Sequence, residues 1–279
     1  MNTINESIKS CETIESNREE VQELFETLED MNMKLIESEK ARTRFLSLIR
    51  NEFDNPLVGM VSLMGQLHAT LKEKGGEDFE LLHLAYMDAL KLNYQLSNIV
   101  SAATVETGVL EKNLSLFSIV SMLDDIDSAL TYIFENKKNT VLKHLLCPDT
   151  IYNDRDKIYT IIINLLANAY EYSEPNTEVS VEIFEDDQKL FIIVRNIGLE
   201  IKDKKAIFDA FYQQGQGFNR THQGLGIGLS ITKVFIEFLG GEILITRDDN
   251  TNVFIASLPI YENGDEVSFG AELDGFMFD

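Results

Sequence analysis

An α+β fold is predicted, helical in the first part of the chain and mixed in the second. Three features predict it. A heptad of apolar residues opens the chain; two long stretches of helical periodicity lie either side of a Gly-Gly turn; from Thr107 onward, short alternating segments are interleaved with helices carrying an apolar face. Composition allows this, since 44% of the 279 residues are hydrophobic and the length has room for two modules. With 24 Lys+Arg against 47 Asp+Glu the formal charge is −23, which opposes binding to nucleic acid or to an anionic membrane. The longest strongly apolar stretch, residues 158–170, is broken by Asn164 and Asn168 and falls short of the roughly 18–20 residues of a bilayer span, so no membrane segment is expected. The first residues show neither a basic nor an apolar leader region, which reads as a cytoplasmic protein. Cys11, Cys147 and the four scattered histidines form no ligand spacing.

Each element can be justified in order. Ile14, Val21, Leu28 and Leu35 recur every seven residues, with Leu24, Met31 and Phe45 at the other seam spacing, so residues 1–44 read as a coiled-coil helix. The helix could run on towards Lys74, bent at Pro56, and residues 74–78 (KGGED) read as a turn. From Phe79 to about Thr107 a second helix carries Leu81, Leu84, Leu92, Leu96 and Ile99 among its apolar residues. Residues 45–108 therefore form a helical hairpin, and its apolar stripe is best buried by dimerising into a four-helix bundle. In residues 109–259 the pattern predicts a helix over 117–134 and a strand over 141–147. A buried helix over 154–172 follows, then strands over 178–185 and 189–194, a helix over 226–239, and strands over 241–246 and 252–258. Residues 260–279 hold six acidic side chains, no basic ones and three phenylalanines, an acidic tail that is disordered or partner-binding.

The second module contains NLLANAYEYS from Asn164, VRNIGLEI from Val194, IFDAF from Ile207 and GLGIGLSITKVFIEFLGG from Gly224. In order and spacing these resemble the ATP-binding domain of sensor histidine kinases. FLSLIRNEFDNPLVGM, residues 45–60, stands where that family carries its phosphoacceptor segment. The resemblance implies an α/β-sandwich of the histidine-kinase (Bergerat) type over residues 109–259, and ATP or ADP with Mg²⁺ as cofactor.

Several stations depart from the family pattern. Asn51 occupies the phosphoacceptor histidine position, preceded by Arg50, and a carboxamide has no imidazole-like nucleophilic nitrogen with which to form a phosphoramidate. Glu52 matches the acidic residue that assists the histidine, a task it loses here. Asn55 matches the Thr/Asn that orients water against a phospho-aspartate, and an amide can hold such a water without reacting; the alternative is a turn dipeptide with Pro56. Asn164 and Asn168 match the paired asparagines, four apart on one helix face, and the resemblance assigns Mg²⁺ to Asn168. Both are otherwise structural hydrogen-bonders. Glu171 replaces the usual Lys near the phosphates. At the base-binding pattern D-x-G-x-G the chain has Asn196, Gly198 and Glu200: loss of charge assistance at Asn196 weakens one hydrogen bond, and Glu200 stands where glycine allows φ > 0 or close approach. Gly224, Gly226, Gly228 and Leu229 match the second glycine box, before a helix whose first amides can cradle phosphate. Residues 212–223 would be the lid, with Arg220 as its phosphate contact, and Phe208 and Phe211 would pack beneath it.

Read together, these residues predict a histidine-kinase-like two-component signalling protein unable to autophosphorylate at position 51, with nucleotide binding weakened or lost. Its partners would be a response-regulator receiver domain or another histidine kinase. A homodimer is expected, with the sensor supplied in trans through the coiled coil or the tail. Two alternatives differ in class: a phospho-aspartate phosphatase using Asn55, and an ATP-dependent kinase whose acceptor has been altered.

Overall fold

A computed structural model describes residues 28, 31–34, 55–72, 75–108, 110–134, 140–214 and 226–261. Two compact units divide the chain, residues 1–48 and 49–279. In the first, Leu28 and residues 31–34 are helical; most of the expected coiled coil lies outside the described residues, as do Asn51, Glu52, Arg220, Gly224 and the tail beyond Tyr261.

The second unit opens with α1, Asn55–Leu71, and α2, Glu77–Glu106. The turn between them is made by glycine, since Gly75 and Gly76 have φ of 60° and 97°, a backbone region where a side chain would clash with the main chain. Three acidic residues, Glu77, Asp78 and Glu80, occupy the first turn of α2 and complement the positive end of its dipole. Inside the hairpin, His68 and His83 are joined by a 2.8 Å hydrogen bond, with the Phe79 and Tyr86 rings against His68.

After Gly108 the chain builds a sandwich. β1, Leu114–Ser118, pairs antiparallel with β3, Thr150–Asp154, and between them lie α3, Ile119–Ile133, and β2, Thr140–Leu146. α4, Arg155–Tyr172, follows, then β4, Glu178–Asp186, and β5, Lys189–Ile197; α5, Gly228–Phe238, precedes β6, Glu242–Asp248, and β7, Thr251–Pro259. The main sheet has five strands in the order β2-β4-β5-β7-β6, antiparallel except for β2 beside β4. One face of this sheet takes the helices. The fully buried Ile119, Met122, Leu123, Ile126 and Leu130 of α3 recur at helical spacing, and Ile158, Ile161, Ile162 and Leu165 of α4 do the same. On β4 and β5 the alternation is strict, with Val179, Val181 and Ile183 and with Leu190, Ile192 and Val194 facing inward. The hairpin joins this core through α2, whose Val105 is part of it with Tyr94 and Ala102 packed against it, and Leu110 follows just beyond the helix.

Three expectations are corrected. The helix expected over 117–134 starts at Ile119, because Leu114–Ser118 is a strand and Ser118 turns the chain by accepting a hydrogen bond from the Ser121 N–H at 3.1 Å. Strand β3 went unpredicted: in a five-residue strand closed by Asp154 the alternation is too short to register. β5 also runs three residues past the expected Val194, which places Asn196 inside a strand. Among the described residues no helix is long and apolar enough to cross a membrane.

Candidate functional site

Three pieces of the sandwich meet at the site: the C-terminal half of α4, the end of β5 and the start of α5. α4 is set by its first turn. Asp154 caps it by accepting from the Lys157 N–H at 3.1 Å, and its other oxygen takes the Lys157 ammonium at 2.7 Å and the Asn113 N–H at 2.9 Å. Lys157 Nζ also donates to the Glu111 carbonyl at 2.6 Å, so a buried ion pair ties the end of the hairpin connection to the helix that carries the site.

Asn164, Asn168 and Glu171 fall at i, i+4 and i+7, on one face of α4. They are not equivalent. Asn164 is 2% exposed and both ends of its amide are used: Oδ1 accepts from the Tyr94 hydroxyl at 3.0 Å, and Nδ2 donates to the Gly228 carbonyl at 3.2 Å. Asn168 and Glu171 are only half-buried. The charge of Glu171 is felt at two phenols. Burial, and after it Glu171, pushes Tyr172 up to about 12; burial raises Tyr94 as well, against a side-chain hydrogen bond from Asn98 and with a smaller contribution from Glu171.

At the end of β5, Asn196 is 2% exposed and its Nδ2 is the buried side-chain atom without a hydrogen-bond partner among the described residues. Leaving such a donor unpaired costs about 1–3 kcal/mol, and a ligand acceptor would relieve it. Gly198 is required by close approach, because a Cβ there would sit 2.4 Å from the Tyr172 carbonyl oxygen. The loop after it is held from behind. Arg247 donates to the Gly198 carbonyl at 3.2 Å and to Asn252 Oδ1 at 2.7 Å, and Asn252 Nδ2 donates to the Leu199 carbonyl at 3.0 Å. Glu200 is exposed and its backbone lies outside the left-handed region, so the strain expected of a non-glycine residue at this position does not arise. Its carbonyl accepts from Gln214 Nε2 at 2.7 Å while Gln214 Oε1 takes the Lys202 N–H at 2.9 Å, which fixes the start of the segment expected to be the lid.

At the third piece, Gly226 has φ of 72°, and a Cβ there would press on the backbone of Phe211 and Tyr212 at 3.0 Å. Its carbonyl accepts from the Phe211 N–H at 2.9 Å. α5 then begins at Gly228 without a side-chain cap, which leaves its first-turn amides as donors. Leu229 follows in that turn, half-buried against the core. Phe208 is half-buried with Lys233 over its ring, whereas Phe211 is exposed.

The structure therefore brings Asn164, Asn168, Glu171, Asn196, Gly198, Gly226, Gly228 and Leu229 to neighbouring elements of one unit. α1 begins at Asn55. Sequence reasoning missed Tyr94, Asn98, Arg247 and Asn252. The last two face each other across β6 and β7, and a polar pair in otherwise alternating strands was the available signal. Nothing local marked Tyr94, which is 70 residues from Asn164.

The described fold sets three helices on a mixed sheet, and residues 153–262 match the family described as Histidine kinase-, DNA gyrase B-, and HSP90-like ATPase. The chain is 28% identical over 283 residues to the sensor protein GacS of Pseudomonas syringae pv. syringae, an alignment covering 94% of this chain and 31% of that protein. It is 26% identical over 247 residues to the signal transduction histidine-protein kinase BarA of Escherichia coli K12, covering 82% and 27%. Among solved structures, the Acinetobacter baumannii histidine kinase AdeS superposes with a TM-score of 0.52 at 19% identity, covering 74% of this chain and 96% of that one. Full-length ShkA in complex with AMPPNP gives 0.54 at 18% identity, covering 82% and 47%. Over most of its length the chain is thus similar to sensor histidine kinases, and residues 153–262 carry the ATPase domain of that family. It spans about a third or less of the length of GacS and BarA.

Proposed function

We propose that this chain is a two-component signalling regulator that docks on a response-regulator receiver domain or on another histidine kinase, and that it does not phosphorylate itself at position 51. The observation that carries this is Asn51 in the phosphoacceptor segment, since a carboxamide cannot supply the nucleophile. Incubation with labelled Mg-ATP tests it. The chain as it stands takes up no acid-labile phosphate, whereas stable labelling of it sinks the reading. Label appearing in Asn51→His locates the defect at the acceptor alone.

In this reading the cofactor is ATP or ADP with Mg²⁺, bound more weakly than in an intact kinase. The Asn168 oxygen would hold the metal, the first amides of α5 after Gly226 and Gly228 the phosphates, and Asn196, whose buried amide donor lacks a partner, the base. Glu171 and Glu200 oppose the polyanion; Arg220 would be the lid's phosphate contact, and Gly224 would belong with Gly226 and Gly228 to the glycine box. Calorimetric titration with ATP, with and without Mg²⁺, decides between a working pocket and a relic: micromolar, Mg²⁺-dependent heat supports the pocket, and no heat into the millimolar range retires it.

The chain acts as a homodimer in this proposal. Val58, Met60, Leu63 and Leu67 of α1 and Leu81, Leu84, Leu92 and Ile99 of α2 are exposed, an apolar surface that a second hairpin would cover as a four-helix bundle. A second reading, removal of phosphate from a response-regulator aspartate, is favoured by Asn55 at the first position of α1, with Glu52 beside it in sequence. Asn55→Ala abolishes such an activity while receiver binding persists; undiminished phosphate release by that variant excludes the role.

A further inference from the structure

The hairpin and the sandwich are joined at one polar point. Tyr94 lies in the middle of α2, and its hydroxyl donates to Asn164 Oδ1 at 3.0 Å. The same amide reaches on through Nδ2 to the Gly228 carbonyl at 3.2 Å, where Thr232 Oγ1 also donates at 2.9 Å. Two hydrogen bonds thus connect the hairpin helix to the first residue of α5, two residues after the left-handed Gly226. Asn98, one turn along α2, is buried at 6%, and its side chain lowers the pKa of the Tyr94 hydroxyl against the larger effect of burial. That hydroxyl also feels Glu171, so it lies towards the α4 face shared by Asn164, Asn168 and Glu171.

We infer that Tyr94 is a latch: by engaging Asn164 it holds α2 against the face of α4 that bears the paired asparagines, and hairpin docking and nucleotide binding oppose one another. The inference rests on the reading that this face binds nucleotide. With α2 in place, Asn164 is 2% exposed and both ends of its amide are bonded within the protein, so a ligand reaches it only when α2 and Tyr94 move away. Linkage makes the effect reciprocal: the factor by which docking weakens nucleotide binding is the factor by which nucleotide weakens docking. One neutral hydrogen bond sets the scale, roughly two- to tenfold.

The test uses the full chain with Cys11 and Cys147 replaced by Ser and spin labels at Asp88→Cys on α2 and Asp248→Cys at the end of β6, diluted with unlabelled chain so that distances within one protomer are read. Without nucleotide the parent shows one narrow distance distribution. Tyr94→Phe, which keeps the ring and removes only the hydroxyl, lengthens and broadens it; Mg-ADP does the same to the parent; and Tyr94→Phe binds Mg-ADP two- to tenfold more tightly by calorimetry. Asn164→Ala breaks the same bond from the other side, and combining it with Tyr94→Phe releases the hairpin no further than either change alone. A Tyr94→Phe distance distribution identical to the parent's overturns the latch. Weaker Mg-ADP binding by Tyr94→Phe overturns the opposition and makes Tyr94 a positioning residue for Asn164. Release of the hairpin with no heat of Mg-ADP binding in either chain overturns the opposition together with the nucleotide reading.

Discussion

Gly198 and Glu200 sit two residues apart in one motif and answer to different physics. At Gly198 a side chain has no room, since a Cβ would stand 2.4 Å from the Tyr172 carbonyl oxygen and 3.1 Å from Asn196 Nδ2. Gly198→Ala is therefore expected to cost about 1–3 kcal/mol, the usual penalty of forcing atoms into a packed site, and a urea melt measures it. Glu200 is exposed with an ordinary backbone, so Glu200→Gly changes stability by no more than about 0.5 kcal/mol, and any gain in nucleotide affinity comes from the lost negative charge. Tyr172 carries one part of the pH dependence. Its pKa is pushed from 10.0 up to about 12 by burial and then by Glu171. Because the neutral form is favoured in the folded chain, its contribution to stability is whole below pH 10 and is lost between pH 10 and about 12. Phenolate absorbance followed against pH in the parent and in Tyr172→Phe shows whether that step belongs to Tyr172.

Among the elements, α4 was the most legible and carries the most. Its apolar residues recur at helical spacing, and the acidic cap at Asp154 marks the start. What the spacing did not show is that Asp154 is 1% exposed and takes three donors at once, the Lys157 N–H, the Lys157 ammonium and the Asn113 N–H. Asp154→Ala leaves the buried Lys157 without its counter-charge and removes the cap, and about 3–5 kcal/mol of stability should go with it. Thermal unfolding reads this directly, and a shift of under about 1 kcal/mol would show the pair to be dispensable. β1 and β3 were the illegible elements. They pair only with each other, at five residues apiece, and a two-stranded ladder of that length has too few alternations to stand out from a capped helix start.

At the scale of the whole molecule, the hairpin exposes leucines on both helices while the helix-facing side of the main sheet is closed. If the uncovered surface is the dimer interface, Leu84→Glu with Leu92→Glu puts charges into it and the chain runs as a monomer by light scattering; a dimer that survives both changes excludes this arrangement. Tyr94 and Asn164, the point where hairpin and sandwich meet, were expected respectively as one more residue of a helix and as one of a pair of ligands. In the structure Asn164 has both amide ends bonded within the protein, which leaves Asn168 as the better-exposed member of that pair.

By itself, the sequence determined the helical first part and mixed second part, the glycine stops at Gly75 and Gly76, the single α4 face of Asn164, Asn168 and Glu171, and the resemblance to sensor histidine kinases, because periodicity, backbone permissiveness and motif spacing are local along the chain. Tertiary structure alone decided that Tyr94 bonds Asn164, that Arg247 and Asn252 hold the loop after β5, that Gly198 must lack a side chain, and that Asn196 keeps a buried donor without a partner. Those are contacts through space between residues up to 70 positions apart, and hydrogen bonds of that kind leave no repeat in the order of the amino acids.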